Sequence, residues 1–436
     1  MSRLTDVDVG TPSPSKSRAV GRQTSVYLIA FCIFALAISI RVAVLCATRS
    51  YLDHEHSEVT RVASSLARGG GFANAYGDTG PTAHTSPLYP LLLSLVYRWF
   101  GTGVSGEIAQ EILSSFLAAL TWSLVPFIGE VCQLDRRVGI GAALAGAVLT
   151  INRWAETKGT FETSLASLIC LLMVMFYMKR WYSRDFSVRA SVFAGVLSGL
   201  AILVSASLGS IALGLLLTGY LLFRGSFGRQ YRRFAFISVA VMFAMLVPWA
   251  LRNYFVLGGL VWTRSNFPLE LRVSNNDEAG ATFFSNNVAM SKYHPFENPQ
   301  QRVIVKAMGE LAYQQKEKDE ALRWIRSHPS QFGWLTLQRI YHFWFPEMKR
   351  PLQTMVLAFL TVATVPAWFY LLKRRLPLGY GLLTIWLVYP PVYYVVQASP
   401  RYVYPIQWTI YLLASQSVLL GYLSLRGREQ DVAAND

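Results

Sequence analysis

The chain has 436 residues, of which 53% are hydrophobic and only 15% are charged, whereas about a quarter of the residues in a typical soluble protein are charged. Its net charge of +15 is carried by short Lys and Arg clusters that separate apolar runs. This is the pattern of loops in a membrane protein, not of a nucleic-acid-binding surface. A soluble globular protein and a nucleic-acid partner are therefore excluded.

The four cysteines are interpreted as small buried hydrophobic residues. Cys32, Cys46, Cys132 and Cys170 lie within apolar runs or at their edges. None has a Cys or His neighbour at the spacing of a metal site, and free cysteine usually packs as a small apolar side chain.

Ten apolar segments predict membrane-spanning helices, since a helix needs about 20 residues to cross a bilayer. They lie at 26–47, 108–131, 138–152, 163–179, 188–205, 207–223, 234–250, 352–372, 379–396 and 402–424. Basic clusters occupy every other connection and both ends of the chain. By the positive-inside rule these parts face the cytoplasm. We therefore predict an all-α polytopic membrane protein with both termini cytoplasmic.

This topology divides the chain into five parts. They are a disordered cytoplasmic tail (1–25), an N-terminal membrane module with two outer loops (26–250), a mostly helical extracytoplasmic insert (251–350), C-terminal transmembrane helices (351–425) and a second cytoplasmic tail (426–436). The apolar run Pro87–Phe100 is too short to span and would invert every later loop if it did. We predict that it forms a re-entrant or interfacial helix on the outer side.

Three carboxylates stand at the start of an amphipathic helix in the first outer loop, residues 48–107. Asp53, Glu55 and Glu58 precede or open a segment, 59–67, whose apolar residues recur with helical spacing. The positive end of a helix dipole favours their ionised form, as a general base or a cation anchor requires. The alternative is that Asp53 caps the helix and the two glutamates are ordinary first-turn residues.

A series of motifs begins in this loop and continues to the end of the chain. In EHSEVTRVASSLARGGGF and GDTGPTAHTSPLYP, the positions concerned are Glu55, Glu58, Ala63, Leu66, Gly69, Gly71, Phe72, Pro81, Thr82, Ala83, Pro87, Leu88, Tyr89 and Pro90. They resemble the first-loop signature of the GT-C glycosyltransferases, and more narrowly of bacterial relatives of the dolichyl-phosphate-mannose protein mannosyltransferases. PWALRNYFVLGG, EALRWIRSHPSQF, FWFP and PRYVYPI are similar to later segments of those relatives. The family usually has Asp at the first acidic position, where this chain has Glu55, with Asp53 two residues upstream.

The resemblance implies a GT-C-like helical bundle and an inverting glycosyl transfer at the extracytoplasmic face of a bacterial inner membrane. The donor would be a polyprenyl-phosphate-linked sugar, hexosyl or pentosyl, and the acceptor a hydroxyl on a glycan, lipid or protein. Because a lipid phosphate leaves readily as an anion, one carboxylate that acts as base on the acceptor can suffice. Among Glu55, Asp53 and Glu58, we expect Glu55 to be this base, since the motif spacing fits from there without a gap.

Positive charge near the departing phosphate is the second requirement of such chemistry. Arg41, Lys158, Arg252 and Arg401 lie on the predicted outer side, against the positive-inside trend, and are candidate ligands of the donor phosphate. Contact with lipid headgroups is the alternative for each of them. Arg252 and Arg401 are the two that we favour for donor binding.

The resemblance also implies a second acidic site in the second outer loop, roughly 152–162, where Glu156 and Glu162 occur. Such a site would help to organise the donor, sometimes through a divalent cation such as Mg²⁺ or Mn²⁺. The alternative for Glu162 is an ordinary first-turn residue of a helix capped by Thr160. His54 and His56 lack a third ligand at a suitable spacing, and we expect them to face solvent.

Two other functions are compatible with the sequence. A lipid or glycan transporter or flippase would place its ionisable sites near the middle of the membrane, whereas the polar residues here gather at the outer rim. A GT-C relative that binds polyprenyl lipid without catalysis is the second, and the glutamate at the first acidic position leaves it open.

Overall fold

The computed structural model describes the backbone of residues 16–433 and the side chains of residues 26–426. Its helices are α1 (Lys16–Thr48), α2 (Glu58–Ala67), α3 (Leu88–Phe100), α4 (Val104–Val131), α5 (Arg136–Val148), α6 (Thr163–Ser183), α7 (Val188–Val204), α8 (Leu208–Phe223), α9 (Gly228–Leu257), α10 (Phe267–Ser274), α11 (Asn287–Tyr293), α12 (Pro299–Met308), α13 (Glu310–Ser327), α14 (Pro329–Trp344), α15 (Pro351–Ala363), α16 (Val365–Lys373), α17 (Pro377–Val388), α18 (Pro391–Tyr394) and α19 (Pro400–Ala433). Pairing between extended segments in the described range is limited to two isolated β-bridges. The all-α prediction is therefore confirmed.

Six stretches are long and apolar enough to cross a membrane. They are Val26–Thr48, Val104–Val131, Thr163–Ser183, Gly228–Leu257, Pro351–Lys373 and Pro400–Arg426. The other four predicted spans are also helical, but α5, α7, α8 and α17 each have fewer than 18 residues. They complete the bundle by packing on neighbouring helices, α5 along α4 and α7 along α9. The chain is thus an all-α polytopic membrane protein.

The first helix differs from its prediction in two respects. It begins at Lys16, so residues 16–25 of the predicted disordered tail are helical, and residues 1–15 lie outside the described range. Cys32 and Cys46 are exposed on this helix, while Cys132 and Cys170 are buried. The prediction of four buried cysteines is therefore wrong for two of them, because α1 packs on α4 and α5 with one side only.

Small residues let the first membrane helices approach closely. A Cβ atom on Gly146 would lie 2.1 Å from Trp122 Cε3, so α5 can rest against this indole only because the residue is glycine. Near the end of α5, the carbonyl oxygens of Gly146 and Ala147 accept hydrogen bonds of 3.2 and 3.1 Å from Arg41 of α1. These contacts hold α1 and α5 together next to the loop that follows α5.

The two helices predicted for the first outer loop are both present. The amphipathic helix α2 buries Val59 and Ala63 against Tyr89, Leu93 and Tyr97 of α3. The opposite side of α3 exposes Leu91, Leu95 and Trp99. An apolar exposed side on a short helix is what an interfacial helix presents to lipid.

The insert and the first outer loop share one hydrophobic core. Its buried residues include Val62, Phe72 and Tyr76 from the loop and Leu269, Val273 and Tyr313 from the insert. Glu310, at the start of α13, joins the two: it accepts hydrogen bonds from Ala83 N at 2.8 Å and from Ser265 Oγ at 2.6 Å. Burial raises the pKa of Glu310, and these hydrogen bonds oppose the rise. The insert is helical, as predicted, and begins after Leu257, where α9 ends.

Candidate active site

A cavity of about 1050 Å³ lies between the two outer loops, the insert and the last membrane helices. Apolar residues at the ends of the membrane helices form part of its wall, among them Ile151, Ala166, Val388, Val392, Val396 and Pro405. The carboxylates that line it are Glu55, Glu58, Glu162, Glu270 and Glu297, and the cations are Arg153, Arg264, Lys349, Arg350 and Arg401. An apolar wall beside charged groups suits an amphiphilic ligand with a polar head.

Glu55 lies between α1 and α2 and lines this cavity. Both of its carboxylate oxygens accept hydrogen bonds from the indole Nε1 of Trp154, at 3.0 and 3.2 Å. The preceding residue, His54, has a left-handed backbone with φ of 45°. The carboxylate is exposed to the cavity, as a base that must meet an acceptor hydroxyl has to be.

Asp53 lies outside the cavity wall, and it does not cap α2. The N-cap is Ser57, whose Oγ accepts a hydrogen bond from Thr60 N, while Thr60 Oγ1 accepts one from Ser57 N at 2.9 Å. The alternative in which Asp53 caps the helix is therefore wrong. Glu58 is the first residue of α2, which agrees with the alternative that it is a first-turn residue of this helix.

Glu58 belongs to a cluster with two buried histidines that the sequence did not bring together. Its Oε1 lies 3.6 Å from His294 Nε2, and potential ligand atoms of Glu58, His84 and His294 all lie within 4.8 Å of one another. His84 stands inside the PTAHTSP motif, but His294 comes from the insert, and only the fold joins them. Two imidazoles and a carboxylate suit Zn²⁺, whereas Mg²⁺ and Mn²⁺ prefer oxygen ligands.

Each of the two histidines has a hydrogen bond at its ring Nδ1. The backbone N–H of Phe296 donates to His294 Nδ1 at 3.1 Å, so the neutral ring carries its proton on Nε2, towards Glu58. His84 Nδ1 and the Tyr76 hydroxyl share a hydrogen bond of 2.6 Å. Burial lowers the pKa of His84 well below its usual value, and the charge of Arg264 adds to the effect. To bind a metal ion through Nε2, His294 would have to give up its Nε2 proton, and a shift of that proton to Nδ1 would break the hydrogen bond from Phe296 N–H.

Arg401 lines the cavity as the second residue of α19, and the second outer loop and the insert both contact this part of the chain. Asn152 Nδ2 donates to the carbonyl oxygen of Pro400 at 2.6 Å, and Ala398 N donates to an insert carbonyl at 2.8 Å. The guanidinium carbon lies 3.8 Å from the centre of the Phe161 ring. Among the ion pairs of the described residues, none includes Arg401. Its charge is therefore available to an anionic ligand.

Two of the other candidate phosphate ligands are held in contacts outside the cavity wall. Lys158 Nζ donates to the carbonyl oxygen of Ser50 at 2.7 Å and lies 3.3 Å from Glu111 Oε1. Arg252 donates hydrogen bonds of 2.7 Å to two backbone carbonyls of the first outer loop. Both cations connect parts of the protein to one another, which differs from the expectation that they bind phosphate.

Of the two acidic residues in the second outer loop, Glu162 lines the cavity and Glu156 does not. Glu156 is fully buried and pairs with Arg41, with 2.7 Å between Oε2 and Nη2. Glu156 and Arg41 therefore lie outside the cavity wall, which differs from the expectation that they contact the donor. Burial raises the pKa of Glu156, and the charge of Arg41 opposes the rise. Glu162 Oε1 lies 3.6 Å from Arg264 Nη1. Glu162 itself occupies the N-cap position of α6, so Thr160 does not cap that helix.

The arrangement of helices is similar to that of an archaeal oligosaccharyltransferase from Archaeoglobus fulgidus. The apo form of that protein matches with a TM-score of 0.56 and 14% identity, over 93% of this chain and 52% of that chain. The oligosaccharyltransferase AglB from the same organism, in complex with an inhibitory peptide and a dolichol-phosphate, matches with a TM-score of 0.52 and 15% identity, over 86% of this chain and 47% of that chain. The protein of the apo form, in complex with Zn and sulfate, matches with a TM-score of 0.50 and 15% identity, over 86% of this chain and 46% of that chain.

The chain spans about half the length of these archaeal structures. No family model and no curated protein matches the sequence. The likeness is therefore one of fold alone, in which the helices are arranged as in these archaeal oligosaccharyltransferase structures. It agrees with the predicted all-α membrane bundle.

Proposed function

We propose that this protein is a membrane glycosyltransferase that moves a hexosyl or pentosyl group from a polyprenyl-phosphate carrier to an acceptor hydroxyl. The observation that carries the proposal is one cavity that combines an exposed carboxylate, Glu55, an arginine without an acidic partner among the described residues, Arg401, and an apolar wall. The similarly folded archaeal enzyme was solved with a dolichol-phosphate, so this type of fold accommodates a polyprenyl phosphate.

In the proposed reaction Glu55 acts as the general base. Its carboxylate takes the proton of the acceptor hydroxyl while the acceptor oxygen bonds to the anomeric carbon of the sugar. The bond from that carbon to the phosphate oxygen breaks, and its electron pair leaves with the polyprenyl phosphate. Arg401 stabilises the negative charge that develops on the phosphate. Attack opposite the leaving group inverts the configuration of the anomeric carbon.

Glu58, His84 and His294 would hold a divalent cation only if the hydrogen bond from Phe296 N–H to His294 Nδ1 were given up. The cation would supply positive charge at the polar end of the cavity, and the ligand types favour Zn²⁺ over the Mg²⁺ or Mn²⁺ expected from the sequence. Purified protein incubated with Zn²⁺ and dialysed should retain zinc, measured by elemental analysis, and His294→Gln should not. Equal zinc content in both proteins would exclude this site.

The proposed membrane placement follows from the basic clusters described above. They put both termini in the cytoplasm and the cavity on the extracytoplasmic side of a bacterial inner membrane. The acceptor would accordingly be a glycan, lipid or protein outside the cytoplasm.

The decisive experiment uses purified protein and a polyprenyl-phosphate donor with a labelled sugar. The proposal predicts cleavage of the donor, with the label transferred to an added acceptor extract or released to water. A flippase would instead move intact donor across a vesicle membrane, and a non-catalytic relative would bind the donor and leave it intact. Either of the last two results would overturn the proposed function.

A further inference from the structure

Two aromatic residues of the second outer loop connect the proposed base to the proposed phosphate ligand. The rings of Trp154 and Phe161 lie 5.6 Å apart at an angle of 51°. Trp154 donates its indole N–H to both carboxylate oxygens of Glu55. Phe161 lies beneath the guanidinium group of Arg401, 3.8 Å from its central carbon. The pair therefore touches Glu55 at one end and Arg401 at the other.

The loop that carries this pair is anchored on several sides. Its left-handed turn at Gly159 has φ of 69°, and the Gly159 carbonyl accepts a hydrogen bond of 2.6 Å from the Tyr89 hydroxyl of α3. Ser57, the N-cap of α2, donates to the carbonyl oxygen of Thr160 at 2.7 Å. These bonds tie the loop to the elements that position Glu55, so the aromatic pair forms a fixed support and not a mobile lid.

We propose that Trp154 and Phe161 are positioning residues that set the placement of Glu55 relative to Arg401. The inference rests on the proposed function. In an in-line displacement the base and the phosphate ligand act on opposite sides of the anomeric carbon, so their separation has to match the substrate. An exposed glutamate samples several rotamers, and the indole N–H selects one of them. The aromatic face holds the guanidinium by a cation–π contact.

The first arm of the test separates the indole N–H from the aromatic ring. Trp154→Phe keeps a ring against Phe161 and removes only the donor. A hydrogen bond to a charged group contributes enough that kcat for transfer should fall about tenfold or more, while the donor KM stays near that of the wild type. Trp324→Phe is the matched control, because Trp324 donates its indole N–H to Asp277 at 2.7 Å outside the cavity wall, and it should leave kcat unchanged.

The second arm addresses the other end of the pair. Phe161→Leu keeps an apolar side chain but removes the aromatic face, so the donor KM should rise about threefold or more, with a smaller effect on kcat. Phe161→Tyr restores an aromatic face and should restore the donor KM. A merely structural pair would instead lower the thermal midpoint and move kcat and KM together in both Trp154→Phe and Phe161→Leu, which would overturn the inference.

Glu55→Gln distinguishes failure of this inference from failure of the proposed function. If Glu55→Gln is inactive and Trp154→Phe behaves like its control, the base is correct and the positioning role is wrong. If Glu55→Gln transfers sugar at the wild-type rate, Glu55 is not the base and the inference falls with it. Loss of kcat in Trp154→Phe together with a raised donor KM in Phe161→Leu, both at unchanged thermal midpoints, is the result that supports it.

Discussion

Arg41 and Glu156 form an ion pair in which neither side chain has exposed surface, with 2.7 Å between Nη2 and Oε2. The pair joins the first membrane helix to the loop of Trp154 and Phe161. Removal of one partner leaves the other charge buried and uncompensated, which typically costs about 3–5 kcal/mol. We therefore expect Glu156→Gln to lower the thermal midpoint of the purified protein strongly, and Glu162→Gln, which is only partly buried, to lower it little. Loss of transfer activity at an unchanged midpoint would give Glu156 a chemical role instead.

Arg401→Ala should weaken the use of the donor. Charge-assisted contacts to phosphate are roughly twice as strong as neutral hydrogen bonds, so the donor KM should rise by about tenfold or more. Arg401→Lys should be intermediate, because lysine keeps the charge but lacks the planar group that stacks on Phe161. Arg98→Ala, an exposed arginine of α3, is the control and should match the wild type. Unchanged kinetics in Arg401→Ala would leave only a lipid-headgroup contact for this residue.

Stability should depend on pH through the buried carboxyl of Glu310. Burial raises its pKa above the usual 4.5, despite hydrogen bonds from Ser265 and the first outer loop. The folded state then holds this proton more tightly than the unfolded state. The stabilisation is full below about pH 4.5 and is lost as the pH rises through the raised folded value.

The thermal midpoints of the wild type and Glu310→Gln at a series of pH values test this dependence. The wild type should lose stability relative to Glu310→Gln as the pH rises from about 4.5. Glu320→Gln, which changes a more exposed residue of the same helix, should show no such trend against the wild type. A constant difference between the wild type and Glu310→Gln would contradict the expectation.

Cysteine labelling tests the proposed membrane topology. Ser226 and Ser285 are both exposed, so a single cysteine at either position can react. The four native cysteines have to be replaced first, since Cys32 and Cys46 are exposed as well. In intact cells a membrane-impermeant maleimide should label Ser285→Cys, and it should label Ser226→Cys only after permeabilisation. The opposite pattern would overturn the topology and the extracytoplasmic site with it.

Much of the fold was predictable because hydropathy and helical spacing are local properties. The apolar stripe of 59–67 and the short run at Pro87–Phe100 each appear as the expected helix. The motif spacing likewise pointed to Glu55, which the structure places at the cavity, and away from Asp53. These signals require only residues that are close in the chain.

The partners of the charged residues were not predictable in the same way. An arginine near the end of an apolar helix has the same local sequence whether it binds a phosphate or a buried carboxylate. For Arg41 the outcome follows from the close packing of Gly146 on Trp122, which brings Glu156 within reach. His294 and Trp154 were missed for the same reason.

The role of Glu55 as the base is the central claim, and kcat for transfer from a labelled polyprenyl-phosphate sugar tests it most directly. Glu55→Gln keeps the shape of the side chain and loses its basicity, so kcat should fall roughly 10²–10⁴-fold, with donor binding and the thermal midpoint unchanged. Asp53→Asn should retain nearly all activity, because Asp53 lies outside the cavity wall. The reverse ranking, or wild-type activity in Glu55→Gln, would contradict the claim.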